Sequence, residues 1–171
     1  PYIFLIIINQ NMEKRSAPHK YSYKARAEQC FRSVLFASLA STDGTSVWNS
    51  PLWLVKDEEW NLYFRSKPGR THMKNIEKNS RVAVAIYDSK QIDSIAGLQI
   101  SGNAEVLLDP KEIDSAMKYY HPDEYDLTSR IYTDENAEYN LVKITPDHIY
   151  IFDQEAFGDK RVEIPLAELT K

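Results

Sequence analysis

Short apolar runs separated by turn residues fill the first half of the chain. Their length and their content of Val, Leu and Trp predict strands over residues 34–41, 47–55 and 60–66. Asp-Gly at residues 43–44 is a strong tight-turn signal, and a second turn is predicted at residues 57–59. Three strands joined by two turns predict a β-meander.

The second half of the chain continues the strand pattern. Further strands are predicted over residues 81–87, 98–108, 141–145 and 148–152. The last two are separated by a predicted turn at Pro146-Asp147, and Gly102 indicates a bulge or the close approach of another backbone. About six antiparallel strands predict a closed or partly closed barrel, because closure removes exposed sheet edges.

Three helices are predicted outside this sheet. Residues 23–32 are good helix formers with regularly spaced apolar positions. A short helix over residues 71–79 follows a chain break at Pro68-Gly69. Asp109-Pro110 predicts the N-cap and first residue of a helix that extends to about residue 120. The predicted fold class is therefore mainly β with short flanking helices.

Composition limits the classes of function. At 171 residues with 43% hydrophobic content, the chain is long enough for one buried core and too short for two ordinary domains. A formal charge of -4 gives no reason to expect nucleic acid or an anionic membrane as a partner. The single cysteine, Cys30, excludes an internal disulfide and suits a reducing, cytoplasmic compartment. No metal is expected, because the four histidines are scattered: His19, His72, His121 and His148.

The N-terminal segment differs from the rest of the chain. Residues 1–8 (PYIFLIII) are almost wholly apolar, but they lack a basic n-region and fall far short of the roughly 20 residues of a spanning helix. They fit an edge strand, a strand lent to a partner, or a cloning remnant with Met12 as the natural start. A cleaved signal is the remaining alternative. Residues 1–22 are therefore treated as an N-terminal extension and residues 23–171 as one domain.

Basic residues concentrate in one turn of this net acidic chain. Residues 65–74 (RSKPGRTHMK) carry four Lys or Arg residues and one histidine. With Thr71 as the predicted N-cap, His72 and Lys74 fall in the first helical turn, where the helix dipole disfavours cations. A bound phosphate would reverse that cost, because helix N-terminal amides and nearby Arg groups form an anion site. The alternative is a solvated basic loop; the P-loop and Rossmann glycine motifs are absent from the sequence.

The segment over residues 121–140 is polar and tyrosine-rich, without a regular pattern. His121, Tyr125 and Tyr132 are candidates for a lid over a site. Alternatively, they are ordinary surface-loop residues. Since no side chain of the sequence is an obvious general base, no catalytic residue is assigned.

Four segments, in this order, resemble one known family. They are LASLASTDGTSVWNSPLWLV, LYFRSKPGRTHMKNIEKNSRVAVAI, GLQISGNAEVL and KITPDHIYIFD. Together they are similar to the pyridoxamine 5'-phosphate oxidase-like FMN-binding split barrels over about residues 31–164. The resemblance implies a six-stranded antiparallel split β-barrel of the Greek-key type, with FMN as cofactor. A barrel this small cannot enclose the tricyclic ring alone, so the ring is expected in a groove between the subunits of a homodimer.

The resemblance also implies which residues bind FMN. The phosphate and ribityl chain would be held by Arg65, Ser66, Arg70, Thr71 and His72. The strand beside the ring would contribute Asn49, Ser50, Leu52 and Trp53. Gln99 would hydrogen-bond the ring, and the second subunit would supply Phe152 and Arg161. The competing interpretations are that Trp48 and Trp53 belong to the core and that Gln99 is simply an outward strand residue.

Two positions depart from the pattern of the true oxidases. Thr71-His72 stands where those enzymes have Arg-Lys, so the charge for a phosphate would come from Arg65 and Arg70. Phe157 and Asp159 stand where the true oxidases share an Arg-x-His motif, and that motif grips the substrate phosphate. A hydrophobe and a carboxylate cannot replace an anion clamp, so oxidation of vitamin B6 is not expected.

The expected function is that of an FMN-dependent oxidoreductase acting on an unknown small molecule, with the flavin accepting a hydride at N5. A flavin carrier or sensor of the stress response, without turnover, is the first alternative. Haem binding and degradation is another, and it requires a histidine placed as an axial ligand. A deazaflavin-dependent reductase would need a longer basic groove than this one turn provides.

Overall fold

The computed structural model describes residues 22–87, 95–120, 132 and 137–170. Within them, eight strands form one antiparallel sheet and five helices lie beside it. The strands are β1 (Ala37–Thr42), β2 (Val47–Leu52), β3 (Val55–Lys56), β4 (Leu62–Ser66), β5 (Arg81–Tyr87), β6 (Ala96–Val106), β7 (Asn140–Asp153) and β8 (Arg161–Ile164). The helices are α1 (Tyr23–Arg32), α2 (Thr71–Lys78), α3 (Pro110–Met117), α4 (Gln154–Phe157) and α5 (Leu166–Leu169).

The predicted mainly β split barrel is confirmed, although the sheet has eight strands where about six were expected. Its order is β2-β1-β5-β6-β7-β4-β3, with β8 added to β7. The predictions of α1 and β5 match the observed elements in full. The chain after residue 153 adds β8 and two short helices, which the sequence pattern did not predict. The N-terminal segment with His19 and most of the predicted lid, including His121 and Tyr125, lie outside the described residues.

The predicted β-meander is wrong, because the second predicted strand is two strands. Residues 53–54 interrupt it, so that β2 pairs with β1 whereas β3 pairs with β4. Pro51 has no N–H to donate and suits β2 as the strand at the edge of the sheet. The third predicted strand corresponds to β4. It begins at Leu62 instead of residue 60, since Trp60 has a positive φ of 66° in the preceding turn. The Asp-Gly turn between β1 and β2 is confirmed, with Gly44 at a φ of 92°.

The predicted turn at Pro146-Asp147 is also wrong. β7 runs through it without interruption, and Pro146 pairs with Gly102 on β6. The register shifts between Ser101 and Gly102, and a bulge of this kind accommodates a proline inside a sheet. A Cβ at Gly102 would overlap the Thr145 carbonyl oxygen, which confirms the close backbone approach expected at this glycine.

Two hydrophobic clusters pack on opposite faces of β4. Leu62 and Phe64 belong to the main core enclosed by the sheet, whereas Tyr63 belongs to a smaller cluster under α3. The smaller cluster consists of Tyr63, Leu107, Ile113, Ala116, Tyr120, Tyr132 and Leu141. Asp109 caps α3 as predicted, accepting a hydrogen bond from the Lys111 amide at 2.9 Å. The α3 helix ends at Met117, short of the predicted residue 120.

A buried ion pair joins α1 to the end of β7. The Asp153 side chain is fully buried and accepts hydrogen bonds from Nε and Nη2 of Arg26, the first at 2.6 Å. Asp153 also caps α4 through the Ala156 amide at 3.0 Å. Three donors on the carboxylate, two from Arg26 and one from the Ala156 amide, offset the cost of burying its charge. No described helix is long and apolar enough to cross a bilayer.

Candidate functional site

The α2 helix lies at the split in the barrel, where the two ends of the sheet face each other. Its His72 ring joins the edge strand β2 to β4, the strand next to the opposite edge: Nδ1 lies 3.0 Å from Ser50 Oγ on β2, and Nε2 lies 2.7 Å from Ser66 Oγ on β4. Asn75 adds a bond from its side-chain amide to Ser41 Oγ on β1 at 3.2 Å. We call Ser50, His72 and Ser66 the seam triad, because they hold β2 and β4 together where no ladder joins them.

The seam triad is buried and neutral. His72 is 6% exposed, and its ring packs edge-on against Phe64 with centroids 5.9 Å apart. Burial lowers the pKa of His72, and the nearby Arg70 guanidinium lowers that pKa further. A neutral imidazole has one donor and one acceptor, and both nitrogens here have a serine hydroxyl as partner. His72 is therefore not one of the cations of the basic turn.

The start of α2 has no side-chain cap. Arg70, and not Thr71, is the N-cap: it has extended backbone angles, and its side chain makes no capping bond. The predicted Thr71 cap is wrong because Thr71 already has helical geometry and is the first helical residue. The first turn carries no acidic residue. Among the described residues, no carboxylate lies within ion-pair distance of the exposed Arg70, whereas Lys67 pairs with Glu138.

Arg65 and Ser66 are neighbours on β4, but their side chains leave opposite faces of the strand. Ser66 faces His72, whereas the Arg65 guanidinium lies 5.6 Å from the centroid of the Tyr139 ring. Burial raises the pKa of Tyr132, and the positive charge of Arg65 opposes that rise. The structure therefore brings together Ser66, Arg70, Thr71 and His72, and it places Arg65 beside the smaller cluster.

A second group of candidate residues lies on the outer face of the sheet. Arg161 Nε donates to Gln99 Oε1 at 2.8 Å, from β8 across to β6. Phe152 lies opposite Arg161 in the β7–β8 ladder, and its ring fills the space where a side chain at Gly97 would be. On β2, Asn49 Oδ1 accepts from Ser38 Oγ at 2.7 Å. All of these side chains belong to the face that points away from the main core.

Small residues leave a groove on this outer face. The groove holds about 340 Å³ and is lined by Ser38, Ala40, Ala83, Ala85 and Ser101, with Asn49, Gln99 and Tyr150 among the larger side chains at its walls. A neighbouring groove of about 540 Å³ is bordered by Leu35, Phe36 and Tyr87, whose side chains are 65%, 60% and 53% exposed. We call these surfaces together the outer groove. These three side chains form an exposed apolar patch at the border of the outer groove.

Arg65 and Gln99 lie at different ends of β7, whereas Asn49 of the second group directly precedes Ser50, which contacts His72. Arg65 pairs with Leu141 near its start, and Gln99 pairs with Tyr150 near its end. Nine residues of extended strand correspond to about 30 Å along the strand. Of the other candidates, Leu52 packs against the main core, and Trp53 lies edge-on to Tyr120 with centroids 5.7 Å apart. The interpretation that the two tryptophans pack in the protein interior thus fits Trp53, which packs against the smaller cluster, and does not fit the half-exposed Trp48.

Sequence reasoning missed Ser38, Tyr139 and Tyr150 as neighbours of the candidate residues. The alternation of His148, Tyr150 and Phe152 with buried isoleucines could have indicated Tyr150, because alternate residues of a strand share one face. Tyr139 had no such signal in the sequence. It lies beside Arg65 because β4 pairs with β7, and that pairing joins distant parts of the chain. Phe157, one of the positions that depart from the true oxidases, has a structural role. Its ring packs against Tyr23 with centroids 5.6 Å apart.

Comparison with known proteins gives one family match. Residues 23–153 match the pyridoxamine 5'-phosphate oxidase family. No curated protein matches the sequence.

Several solved structures share the fold. A heme binding protein from Mycobacterium smegmatis has a TM-score of 0.68 at 15% identity, and the match covers 88% of this chain and 61% of that one. General Stress Protein 26 from Bacillus anthracis has a TM-score of 0.58 at 17% identity, over 82% and 98% of the two chains. A protein related to general stress protein 26 from Clostridium acetobutylicum has a TM-score of 0.60 at 14% identity, over 86% and 96%. At these identities the likeness establishes the fold alone.

Proposed function

The chain belongs to the pyridoxamine 5'-phosphate oxidase family, and from that premise we propose that it binds FMN as a homodimer and acts as an FMN-dependent oxidoreductase on a small molecule. The observation that carries the proposal is the start of α2. There, uncapped helix amides and the exposed Arg70 stand beside Ser66 without a counter-charge among the described residues. A cytoplasmic location is part of the proposal, because the single cysteine, Cys30, is buried and unpaired.

The phosphate of FMN fits the start of α2. Helix N-terminal amides carry partial positive charge and point at a ligand beyond the helix end. Arg70 adds a full charge at the same end, and Thr71 adds an exposed hydroxyl. These groups would bind the phosphate oxygens. The bound phosphate would in turn offset the cost of having the positive charges of Arg70 and Lys74 near a helix N-terminus.

The ring of FMN fits the outer groove. The small side chains of β1 and β5 leave a flat floor, and Gln99 with Arg161 supplies hydrogen-bond donors at one wall. Because Arg161 occupies Gln99 Oε1, the Gln99 amide retains its two N–H donors. Those donors would meet the carbonyl oxygens of the ring rather than its N–H group. When bound, FMN supplies a hydride-accepting centre, and the protein orients it.

A dimer can bring residues of the two groups together at one site. In a two-fold assembly, the start of α2 in one subunit can meet Phe152 and Arg161 of a second copy. The second copy would also cover Leu35, Phe36 and Tyr87, whose exposure is high for apolar side chains. Each cofactor site would then be completed by residues of both subunits.

The proposed substrate is not pyridoxamine phosphate. Phe157 packs against Tyr23, and Asp159 accepts a hydrogen bond from Gln154 at 3.4 Å. Neither residue presents a cation to a substrate phosphate, so these two positions do not form the anion clamp of the true oxidases. A substrate without a phosphate group is therefore proposed.

The proposal is tested first by titrating the purified chain with FMN and following flavin fluorescence and absorption. We expect Arg70→Ala to weaken FMN binding about ten- to hundredfold, the effect of one charge-assisted hydrogen bond. Lys78→Ala, at the other end of the same helix, is the matched control. If the two variants bind FMN equally well, the phosphate does not rest at the start of α2.

Turnover is tested separately from binding. Bleaching of the bound flavin by NADH or NADPH without oxygen supports an oxidoreductase, whereas an unreactive flavin supports the alternative of a carrier or sensor. A Soret band after incubation with haem would favour haem binding. Among the described histidines, the buried His72 has both nitrogens occupied and the exposed His148 pairs with Glu163 at 2.6 Å. Neither observation favours an axial ligand.

A further inference from the structure

His72 lies between the two parts of the proposed cofactor site. Asn49 on β2 lines the outer groove, whereas Ser50, the next residue, faces inward and contacts His72. Because the two residues are adjacent on one strand, a movement of Ser50 also moves the groove wall at Asn49. His72 itself follows Arg70 by two residues at the start of α2. One ring therefore joins the groove wall to the helix end where the phosphate is proposed.

The strand β2 has few other contacts that fix its position. Among the described strands it pairs only with β1, and Ser50 is its one buried residue. On the other side of the His72 ring, Ser66 lies on β4, which pairs with both β3 and β7. His72 thus connects a strand held on one side to a strand held on both sides.

Hydrogen bonds fix this separation more narrowly than apolar packing would. Ser50, Ser66 and His72 are each 6–7% exposed, so an unpaired polar atom at the seam would be costly. A shift of β2 by about 1 Å would break its contact with the ring, whereas an apolar side chain could slide and remain packed. A neutral ring has one donor and one acceptor in either tautomer, so both contacts form whichever serine donates.

We propose that His72 is a positioning residue: it does not touch FMN, but it holds β2 and the start of α2 at the separation that lets FMN contact both. The proposal rests on the proposed FMN function, and it gives His72 a role other than the phosphate contact implied by the family resemblance. A site whose parts are fixed before binding loses less free energy when it is ordered around a ligand. Loss of the link should therefore weaken FMN binding even though no contact with FMN is removed.

Three substitutions of His72, compared in flavin fluorescence titrations, test this role. His72→Gln keeps a donor and an acceptor and should bind FMN within about threefold of the wild-type chain, whereas His72→Leu has neither and should bind it about tenfold or more weakly. His72→Lys separates positioning from phosphate contact. A cation that touched the phosphate would strengthen binding, but an unpaired charge buried at the seam should weaken it at least as much as leucine does.

A second variant and a control separate positioning from general stability. Ser50→Ala removes only the β2 side of the link, and it should weaken FMN binding in the same direction as His72→Leu. Ile113→Ala creates a cavity in the smaller cluster under α3, away from the seam, and should leave the FMN affinity of the folded chain unchanged.

Hydrogen exchange of the backbone amides of residues 47–52, followed by mass spectrometry without flavin, measures the hold on β2 directly. We expect faster exchange in His72→Leu and Ser50→Ala than in the wild-type chain. Wild-type exchange of this strand is expected in His72→Gln and Ile113→Ala.

The outcomes separate this proposal from the function on which it rests. A wild-type chain that binds FMN, with full affinity in His72→Leu and Ser50→Ala, overturns the positioning role and leaves the proposed function standing. Tighter binding by His72→Lys, unchanged exchange of β2 in both seam variants, or an equal loss of affinity in Ile113→Ala does the same. A wild-type chain that binds no FMN overturns both.

Discussion

The seam triad and the outer groove differ in how completely one chain satisfies them. At the seam, every polar atom of the buried His72 ring has a partner within the same chain, and the aromatic Phe64 closes one side. In the outer groove, large apolar side chains such as Phe36 and Tyr87 are more than half exposed. The seam is thus complete within one chain, whereas the outer groove has the composition of a surface that is covered in an assembly. The proposed cofactor site spans both regions and would need a second copy to cover the outer groove.

The largest expected effect concerns the ion pair that anchors the strand end beside the outer groove. Asp153→Ala leaves Arg26 without its buried partner, and breaking such a pair costs about 3–5 kcal/mol of the free energy of unfolding. Urea denaturation followed by circular dichroism measures this. Asp147→Ala, which removes the partially exposed partner of Arg81, is the matched control and is expected to cost about 1 kcal/mol or less. Equal losses would mean that Asp153 does not anchor this end of the sheet.

A substitution in the floor of the outer groove tests whether a second copy covers it. Ala85→Arg would place an unpaired charge in the proposed interface, at a cost of about 3 kcal/mol or more, which corresponds to weakening of the dimer by more than about a hundredfold. Analytical ultracentrifugation across a range of protein concentrations gives the dissociation constant. Lys111→Glu on the exposed start of α3 is the control. A dimer that tolerates Ala85→Arg would have its interface elsewhere.

The comparison also shows how far sequence reasoning reaches. Local signals were sufficient for α1, for the Asp109 cap and for the Asp-Gly turn, because each depends on residues a few positions apart. The basic turn was recognisable for the same reason. The role of His72 in joining β2 to β4 was not recognisable, since its partner Ser50 lies 22 residues away on another strand. Pro146 misled the prediction because the bulge that accommodates it depends on Gly102, a residue of the neighbouring strand.

A smaller effect is expected at Arg65, although the sequence groups it with Arg70. Its side chain lies against Tyr139 on the face of β4 opposite to Ser66, so Arg65→Gln should weaken FMN binding by about threefold or less. Arg70→Ala, measured in the same fluorescence titration, is the reference. If the Arg65 variant loses as much affinity as the Arg70 variant, the phosphate contacts both faces of β4, and the separation of the two regions is smaller than the side-chain directions indicate.

The smallest effect is a dependence of stability on pH that belongs to the seam. The pKa of His72 in the folded chain is lower than its value in the unfolded chain, about 6.5. The unfolded state therefore binds more protons as the pH falls, so the contribution of neutral His72 is fully present above pH 6.5 and is lost as the pH falls below that value toward the folded pKa. We expect the free energy of unfolding to fall between pH 7.5 and 5.5 more steeply in the wild-type chain than in His72→Gln. Arg70→Ala removes one cause of the lowered pKa and should give an intermediate slope. If all three slopes are equal, His72 titrates alike in the folded and unfolded chains. The seam triad would then not be a buried, neutral unit, and this difference from the outer groove would be lost.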